Sequence, residues 1–458
     1  MTIQLPIKNK ISRRSVLLST GAAAVLAACG RKDHKPILVG TRKEVLNTSA
    51  GLMVDHDDQT LITIPDPVIE NNWMMEGRVP SHESIHCVMG GLRKLWDCNI
   101  GAGISEPSIL SYISLGSKGR GIIDSTPVIE GDRIFTMDAQ GYVTAFDWRT
   151  RRQLWRMNPN NKKSRSSNLG GGLGLTEEAL YIVDGAGETL KVEKDSGKII
   201  WRVSIGSSGR SAPTIVGDRL YFGTLVGNFY CLDTKTGEQL WSYQAGAVGT
   251  KIFGLPAPAY LNGILVAGFG SGDLVALRAE TGEAIWVDTL GRSARDSATD
   301  FSAVSALPVI VNGTVYAISL GSVLVALDVR SGRRIWEREV AGQNTMVVVG
   351  DWLYMLSLDQ QLACLDRITG HVRWVTQLRR FKDAENDKDP IAWYGPILGG
   401  GRLICISNFA PMGIVAIDPA NGKITNVTRT GITPALSPII VRKQMLVVGQ
   451  DGTLTAFG

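Results

Sequence analysis

The chain has few of the residues on which most hydrolytic and metal chemistry depends. It carries five histidines, and only His371 lies beyond residue 100. His371 follows Thr369 and Gly370 in a turn, where we expect its ring to be exposed. A Ser-His-Asp triad or a Cys-His dyad needs a histidine beside its nucleophile. The sequence therefore predicts no catalytic residues in the larger part of the chain.

After residue 28 the chain also lacks long apolar runs and any large excess of basic or acidic residues. No segment after residue 28 is apolar for the roughly 20 residues that a membrane-spanning helix requires. The net charge is +5, but four of the 48 basic residues fall in the first 28 positions, which hold no acidic residue. The remaining 44 basic and 43 acidic residues nearly cancel, so nothing supports nucleic-acid binding. Residues 170–174 are glycine-rich but lack the Lys-Ser/Thr of a phosphate-binding loop.

A tryptophan-containing phrase recurs along the chain and organises it. In its fullest copy Gly237 stands four residues after Asp233, and Trp241 stands eight residues after it. Other copies end at Trp336, Trp374, Trp201, Trp286 and Trp155 (with Arg151 in the glycine position), at Asn426 in place of a tryptophan, and, in degenerate form, at Trp96. The mean spacing is about 47 residues, which is typical of β-propellers and other repeat arrays.

Alternating apolar and polar residues between glycine and aspartate turns predict antiparallel strands ahead of each tryptophan. The inner-strand segments are residues 142–147, 189–193, 229–233, 274–278, 324–328, 362–366, 414–418 and 453–458, which makes eight. The last segment has no tryptophan strand after it, and the Trp96 strand has no inner strands before it. We therefore predict an all-β, eight-bladed β-propeller of four-stranded antiparallel blades, closed by pairing of the N- and C-terminal strands. In this closure residues 92–99 complete the blade begun by residues 434–458, which removes two exposed sheet edges.

The repeated tryptophans are predicted to be structural. On an outer strand a tryptophan fills the gap between adjacent blades while its N–H meets a polar partner. We assign this blade-docking role to Trp96, Trp155, Trp201, Trp241, Trp286, Trp336 and Trp374. Truncation of a buried one to alanine should cost about 3–5 kcal/mol.

Residues 1–28 are predicted to form an export signal, because basic residues precede a short apolar stretch that ends in small residues. The end of this segment, from Leu26 to Cys29, resembles the lipobox of bacterial lipoproteins. That likeness implies lipidation of Cys29 as the first mature residue, and Gly30 in place of an aspartate implies the outer membrane. Residues 12–17 also resemble a twin-arginine signal, so the export route stays open.

The stretch between the signal and the first blade shows no repeat. Residues 29–70 alternate polar and short apolar pieces, which Pro65 and Pro67 interrupt. We interpret this stretch as a lipid-attached tether, part of which can lie on the propeller, and residues 71–458 as the propeller itself. Within the entry to the propeller, His82 and His86 have the spacing of metal ligands. The absence of a helical apolar period favours an ordered loop there, so no metal site is predicted.

Five cysteines follow Cys29. Cys231 and Cys364 occupy a position that holds alanine in other blades, and Cys405 lies in an apolar strand, so these three are interpreted as core residues. Cys87 and Cys98 flank the first tryptophan strand. An oxidising compartment would allow them to form a disulfide, but their spacing alone does not decide it.

The tryptophan phrase resembles that of the quinoprotein (PQQ-dependent) dehydrogenases. Those enzymes hold a quinone and a calcium ion at the ring centre, and many stack a pair of adjacent cysteines on the quinone. This chain has no adjacent cysteines, and its Asp and Asn residues form no evident cluster of the 6–8 oxygen ligands that calcium takes. We therefore expect no cofactor and no enzymatic activity, with a PQQ-dependent dehydrogenase as a disfavoured alternative.

The lipobox, the eight blades and the lack of catalytic groups together resemble the BamB family, the propeller lipoproteins of the outer-membrane β-barrel assembly machinery. Stretches that fit the family are residues 95–103 after Asn72 and Trp73, residues 308–313, residues 341–343 and residues 372–378. The resemblance implies a non-catalytic scaffold, lipid-anchored on the periplasmic face of the outer membrane, that aids insertion of outer-membrane proteins. Its implied partners are the periplasmic domains of BamA, the rest of the assembly complex and nascent outer-membrane proteins. The main alternative is a periplasmic propeller with a different partner.

The resemblance also implies two partner-binding loops. The first corresponds to Ser208, Gly209 and Arg210. The second corresponds to Arg295, Asp296 and Asp300. Loops on a rigid ring present side chains without moving the scaffold. The alternative is that both are solvated loops between blades, which is also our interpretation of residues 158–168 and 379–390.

Overall fold

Antiparallel strands make up all the regular secondary structure in the residues that the computed structural model describes. These residues are 51–56, 60–104, 121–160, 170–209, 211–246, 255–291 and 302–458. They form eight four-stranded sheets and one two-stranded hairpin. No helix in these ranges is long and apolar enough to cross a membrane.

Each four-stranded sheet is one blade. Blades 1 to 4 comprise β2 (Val128–Glu130), β3 (Arg133–Met137), β4 (Val143–Asp147) and β5 (Gln153–Met157); β6 (Gly171–Leu175), β7 (Leu180–Asp184), β8 (Glu188–Val192) and β9 (Ile199–Ser204); β10 (Thr214–Val216), β11 (Arg219–Gly223), β12 (Asn228–Asp233) and β13 (Gln239–Gln244); and β14 (Ala259–Leu261), β15 (Ile264–Gly268), β16 (Asp273–Arg278) and β17 (Ala284–Thr289).

Blades 5 to 8 follow in the same way. They comprise β18 (Val309–Val311), β19 (Thr314–Ile318), β20 (Leu324–Asp328) and β21 (Arg334–Arg338); β22 (Val347–Val349), β23 (Trp352–Leu356), β24 (Gln361–Asp366) and β25 (Val372–Gln377); β28 (Trp393–Gly399), β29 (Arg402–Ser407), β30 (Ile414–Ile417) and β31 (Ile424–Thr428); and β32 (Ile439–Val441), β33 (Gln444–Val448), β34 (Thr453–Phe457) and β1 (Lys94–Asn99). The separate hairpin pairs β26 (Phe381–Asp383) with β27 (Lys388–Pro390) between blades 6 and 7. The predicted eight-bladed propeller is confirmed.

The order of the strands within a blade explains the alternation seen in the sequence. The first strand of each blade lies nearest the ring axis, and the fourth lies at the rim. In β13 and β17, which are fourth strands, more than half of the residues are exposed. The segments counted from the sequence are the third strands, which are buried on both faces, as in β20. Neighbouring blades share apolar clusters formed by these inner strands. The core therefore lies between the blades, around the whole ring.

The tryptophan phrase is the hairpin between the third and fourth strands. In blade 3, Asp233 ends β12, and its carboxylate accepts the N–H groups of Lys235 and Thr236, each at 2.8 Å. These hydrogen bonds, with the one from Thr236 the strongest, lower the pKa of Asp233. Gly237 closes the turn at φ +77°, a conformation that costs other residues about 1 kcal/mol or more. Asp and Gly are therefore fixed in the phrase by the turn itself.

The two ends of the chain close the ring. β1 pairs antiparallel with β34, with Trp96 opposite Ala456 and Asn99 opposite Thr453. The N-terminal strand thus becomes the outer strand of blade 8, as predicted.

The ring has two faces that are defined by its turns. The hairpin face carries the turns between first and second strands and between third and fourth strands, such as Gly217 and Gly237 in blade 3. The link face carries the turns between second and third strands, such as Gly227, and the links between blades, such as Ser211. Each link begins at the outer strand of one blade and ends at the axial strand of the next.

The chain ahead of β1 forms a strap over the ring, which we define as residues 51–56 and 60–88. Its first part lies on the rim: Gly51 N–H donates to Glu339 O, and Asp55 N–H donates to Val372 O, both at 2.8 Å. Trp352 Nε1 then donates to Thr63 O at 2.9 Å on the hairpin face. The described part of the predicted tether therefore lies first on blades 5 and 6, and its last residue, Glu70, accepts the N–H of Arg442 in blade 8 at 2.6 Å.

The second part of the strap, residues 70–88, circles the axis at the hairpin face. Its contacts follow the order of the blades. At its two ends, Trp73 forms a β-bridge with Ile129 and Cys87 forms one with Gly399. Between them, the carbonyls of Met74, Pro80 and Ser81 accept the N–H groups of Leu175, Tyr260 and Ile310, respectively, and Ser84 Oγ accepts the N–H of Val348. These contacts reach the axial strands of blades 1, 2, 4, 5, 6 and 7. The hairpin-face end of the central channel is therefore lined by the chain's own N-terminal segment.

Candidate functional site

The predicted blade-docking tryptophans join consecutive blades in one repeated geometry. Trp241 Nε1 of blade 3 donates to the carbonyl of Ala279 in blade 4 at 3.1 Å, and the ring covers Gly282 of the same turn. The same N–H donation links Trp155 to Lys194, Trp201 to Thr234, Trp286 to Val329, Trp336 to Arg367 and Trp374 to Pro419. In each case the acceptor follows the first residue of the next phrase, so the phrase of one blade receives the tryptophan of the blade before it.

Trp96 departs from this geometry. Its Nε1 donates to Gln444 Oε1 within its own blade at 2.9 Å. The Arg151 guanidinium lies 4.5 Å from the centroid of the Trp96 ring. Arg151 holds the glycine position of the blade 1 turn with φ +60°. A cation over the ring thus replaces the usual glycine contact.

The first predicted partner loop lies on the link face between blades 2 and 3. Ser208 is half-buried and Gly209 is buried. Gly209 N–H donates to Asp184 O at 3.1 Å, and a Cβ on Gly209 would lie 2.4 Å from the side chain of Val183. Ser208 O accepts from Leu225 N–H at 2.9 Å. Gly209 therefore fixes the path of the loop rather than presenting a surface.

The remaining predicted partner residues, Arg210, Arg295, Asp296 and Asp300, lie outside the described residues, as does the predicted lipidation site Cys29. The second loop belongs to the chain between β17 and β18, which links blades 4 and 5. Both predicted loops are therefore links from the outer strand of one blade to the axial strand of the next.

The two histidines with metal-ligand spacing bind backbone groups of the ring and of the strap. His82 Nδ1 lies 2.8 Å from Pro308 O, and His86 Nδ1 lies 2.7 Å from Pro65 O. His86 Nε2 also accepts the N–H of Gly401 at 2.8 Å. Within the described ranges, no group of three or more His, Cys, Asp or Glu side chains is arranged to hold a metal ion. These imidazoles hold the strap to the ring.

The cysteines that the structure describes are free. Cys231, Cys364 and Cys405 are fully buried, as their positions in the repeat predict. Cys87 Sγ lies against the Ile440 carbonyl at 3.9 Å, and Cys98 lies in β1. The disulfide left open between Cys87 and Cys98 is not formed.

A cavity of about 460 Å³ occupies the ring centre between the strap and the link face. Its wall contains Glu76 and His82 of the strap and Asp124, which precedes β2. Burial, with a smaller contribution from the charge of Asp124, raises the pKa of Glu76 to about 8. No periodicity in the sequence marked Glu76 or Asp124. The only local signal is that each directly follows a short apolar run.

The lining of this cavity does not suit the quinone of the quinoprotein dehydrogenases. That quinone is a tricarboxylate, and the wall here carries the carboxyl groups of Glu76 and Asp124. Among the described residues of the lining, Arg78 is the one Lys or Arg, and it pairs with Glu70 at 3.0 Å. The Asp124 carboxylate, and that of Glu76 where it is ionised, oppose binding of an anionic ligand in a buried site. No step of a quinone-dependent reaction follows from these residues.

Comparison with known proteins gives one consistent family. Residues 139–376 match the family model described as outer membrane protein assembly factor BamB. Curated relatives with that name include one from Yersinia pestis, 22% identical over 433 residues that cover 93% of this chain and 99% of the relative. Another, from Shewanella oneidensis, is 25% identical over 78% of this chain and 87% of the relative.

Solved structures show the same fold. BamB from Moraxella catarrhalis superposes with a TM-score of 0.65 at 18% identity, covering 80% of this chain and 99% of that one. A quinohemoprotein alcohol dehydrogenase from Comamonas testosteroni has a TM-score of 0.64 at 12% identity, covering 84% and 80%. At these identities the superpositions speak to the fold alone. The family model, however, spans more than half of the sequence, and the chain therefore belongs to the BamB family of outer membrane protein assembly factors.

Proposed function

We propose that this protein is a non-catalytic scaffold of the complex that assembles β-barrel proteins in the outer membrane. The observation that carries the proposal is the match to the BamB family over residues 139–376. The relative from Yersinia pestis, which carries the assembly-factor name, aligns over 99% of its length. More specifically, we propose that the protein binds the periplasmic domains of BamA and is held on the periplasmic face of the outer membrane by lipid attached to Cys29.

The architecture suits a docking function. The strands are paired edge to edge within each blade, and the tryptophan contacts join blade to blade, so the links are carried on a stiff frame. Rigid presentation reduces the entropy that is lost when a partner binds. Gly209 is held between Asp184 and Val183, which fixes the backbone next to Ser208. Charged groups presented on such links govern association rate and specificity.

The proposed attachment through Cys29 needs no further membrane contact from the ring. Acyl chains contribute about 0.8 kcal/mol per buried CH₂ group, so more than one chain is enough for stable anchoring.

The proposed interface can be tested by charge reversal on the two links. We expect Arg210→Glu combined with Asp296→Arg to weaken binding to the purified periplasmic domains of BamA at least about tenfold, because desolvated charge pairs dominate such interfaces. Titration calorimetry measures the affinity, and thermal denaturation checks that the melting temperature is unchanged.

A matched control exchanges a charge pair on the opposite face. Lys235 and Asp218 form an exposed ion pair at 3.0 Å beside the turns of blade 3 on the hairpin face. Lys235→Glu with Asp218→Lys makes the same number of charge reversals and should bind as the wild type does. If the link-face variant also binds normally, the assignment of the interface to these loops is wrong.

A further inference from the structure

The strap exposes apolar side chains where it crosses blades 5 and 6. Leu52 and Val54 pack on the core cluster that these blades share, and Met53 between them is 78% exposed. In the same way Ile62 packs inward, and Leu61 beside it is 77% exposed. Successive residues of an extended segment point to opposite sides, and the side in contact with solvent is expected to be polar. Packing of the strap therefore explains neither Met53 nor Leu61.

A third apolar side chain projects from the hairpin face of blade 6. Ile368 is the second residue after Asp366 in the third-to-fourth turn, and it is 60% exposed. The docking contact of this turn does not use it, because Trp336 Nε1 donates to Arg367 O and the ring covers Gly370. In blades 1 to 5 the corresponding position holds a charged residue, namely Arg149, Asp195, Lys235, Glu280 and Arg330.

Met53, Leu61 and Ile368, which we call the apolar trio, lie in one region of the ring. Asp55 N–H donates to Val372 O at 2.8 Å, and Arg373 Nη2 donates to Thr60 O at 2.6 Å. The strap therefore meets the start of β25, the strand that directly follows the turn of Ile368. Among the described residues, these three are the most exposed large apolar side chains. A group of exposed apolar side chains marks an interaction surface.

The charges around the apolar trio indicate an anionic partner. In the described hairpin-face turns of blades 5 to 8 and the segment that leads into β1, the exposed basic residues are Arg93, Arg330, Arg333, Lys423 and Lys443. The exposed acidic residues there are Asp351 in a turn and Asp66 on the strap. Blades 2 to 4 have the opposite balance, with eight exposed acidic residues in their hairpin-face turns against Lys198, Lys235 and Arg278. The potential is therefore positive around the trio and negative across the ring.

The proposed lipid attachment joins the ring in the same region. Gly51, the first described residue after Cys29, donates its N–H to Glu339 O in blade 5 at 2.8 Å, two residues ahead of Met53. Acyl chains hold a protein at a membrane but do not determine which face it turns toward the membrane. Exposed apolar side chains combined with basic residues bind the headgroup region of an anionic bilayer.

We propose that the hairpin face of blades 5 to 8 lies on the surface of an anionic phospholipid bilayer, with the apolar trio inserted among the headgroups. The inference rests on the proposed function, which places the protein at the outer membrane, and it names the surface that orients the ring there. The links between blades lie on the opposite face of the ring. This orientation therefore turns the links away from the membrane, toward the proposed periplasmic partner.

Sedimentation with phospholipid vesicles tests the proposal on residues 29–458 carrying Cys29→Ser, so that no acyl chain is attached. We expect binding to vesicles of phosphatidylethanolamine and phosphatidylglycerol to be at least about tenfold tighter than to vesicles in which phosphatidylcholine replaces the phosphatidylglycerol. Salt at about 0.5 M should weaken the binding at least about tenfold, because it screens exposed charges. The assay contains no BamA, so a failure here leaves the scaffold proposal standing.

The apolar part of the surface is tested by a pair of substitutions. Leu61→Ser with Ile368→Ser should weaken vesicle binding at least about tenfold, because less apolar surface enters the headgroup region. Leu154→Ser with Ile200→Ser is the matched control. These two side chains are exposed on the outer strands of blades 1 and 2, and this variant should bind as the wild type does.

The basic part of the surface is tested by charge reversal. Arg333→Glu with Lys423→Glu should weaken binding to the anionic vesicles at least about tenfold. Lys198→Glu with Lys235→Glu makes the same change of charge in the turns of blades 2 and 3 on the same face, and it should bind normally. Thermal denaturation of all the variants checks that the melting temperature is unchanged.

A fluorescence measurement locates the contact without relying on a loss of binding. An environment-sensitive fluorophore on Ile368→Cys should shift its emission to shorter wavelength when anionic vesicles are added. The same label on Val226→Cys, which is 47% exposed on the link face, should not shift. No binding to anionic vesicles, binding equal to the controls in both surface variants, or a shift at residue 226 alone would overturn the proposal. Self-association in sedimentation velocity that Leu61→Ser with Ile368→Ser abolishes would assign the surface to a second copy of the chain and would overturn it as well.

Discussion

The six regular blade junctions and the junction between blades 7 and 8 are built differently. At each regular junction a tryptophan N–H donates to the third-to-fourth turn of the next blade and the ring covers a glycine there, as Trp374 does with Pro419 and Gly422. Blade 7 carries Asn426 in the tryptophan position, and this residue is exposed. Blade 8 has no third-to-fourth turn, because its third strand ends the chain and its fourth strand is β1. At this junction a tryptophan of blade 7 would therefore have no third-to-fourth turn to cover.

This difference teaches that the repeated phrase encodes a contact between blades and not a blade by itself. Its Asp and Gly shape a turn, and its Trp contacts the corresponding turn of the following blade. A copy loses its tryptophan where the following turn is absent. The junction between blades 8 and 1 is intermediate: Trp96 is present, but it faces Arg151 instead of a glycine.

The largest expected effect is at a regular junction. Trp241 is 9% exposed, packs on Tyr221 and Phe229, and donates to Ala279. Trp241→Ala should lower the free energy of unfolding by about 3–5 kcal/mol, because it leaves a cavity and removes one of the hydrogen bonds to the Ala279 carbonyl, which Tyr221 still donates to at 3.2 Å. Urea denaturation followed by circular dichroism measures the change. Asn426→Ala is the matched control and should change stability by less than about 0.5 kcal/mol; equal losses would remove the distinction between the junctions.

A smaller effect is expected from the glycine on the receiving side. A Cβ at Gly282 would lie 2.5 Å from the Trp241 ring, and the backbone has φ +77°. Gly282→Ala should therefore cost about 2–4 kcal/mol, from backbone strain together with displacement of the ring. Gly263→Ala shares the positive φ, at +85°, but its Cβ would meet nothing within 4 Å. This control should cost only about 1–2 kcal/mol, and a loss equal to that of Gly282→Ala would show that the ring contact is unimportant.

The smallest effect is expected at the junction between blades 8 and 1. Arg151→Gly relieves a residue at φ +60° but removes a cation 4.5 Å from the Trp96 ring and a hydrogen bond to Trp148 O. Each term is worth about 1 kcal/mol, so the free energy of unfolding should change by less than about 1 kcal/mol. Urea denaturation is again the measurement. A loss above about 2 kcal/mol would mean that the cation contact does more than replace the missing glycine.

The ring itself was predictable because the phrase repeats. Asp, Gly and Trp mark each third-to-fourth hairpin, and the count of strands before Trp96 and after residue 453 leaves closure by β1 as the economical solution. The burial of Cys231 and Cys364 followed from their alignment with the alanines of other blades. Local turn chemistry and strand alternation were sufficient for these features.

The strap and the ring centre could not be predicted in the same way. Residues 70–88 bind most of the blades through one or two hydrogen bonds each, mainly between backbone groups, which leave no periodic mark on the side chains. His82 and His86 resembled metal ligands in spacing, yet they contact the carbonyls of Pro308 and Pro65, which are distant in sequence. The burial of Gly209 depends on Asp184 of the neighbouring blade. These are long-range contacts, and a local pattern does not contain them.

The most direct test of the proposed scaffold function is affinity purification of the lipidated protein from detergent-solubilised outer membranes, with mass spectrometry of the proteins that accompany it. We predict recovery of BamA and the other members of the barrel assembly complex in amounts comparable to the tagged protein. A preparation that lacks them, or that instead contains a different periplasmic partner in comparable amount, would contradict the proposal.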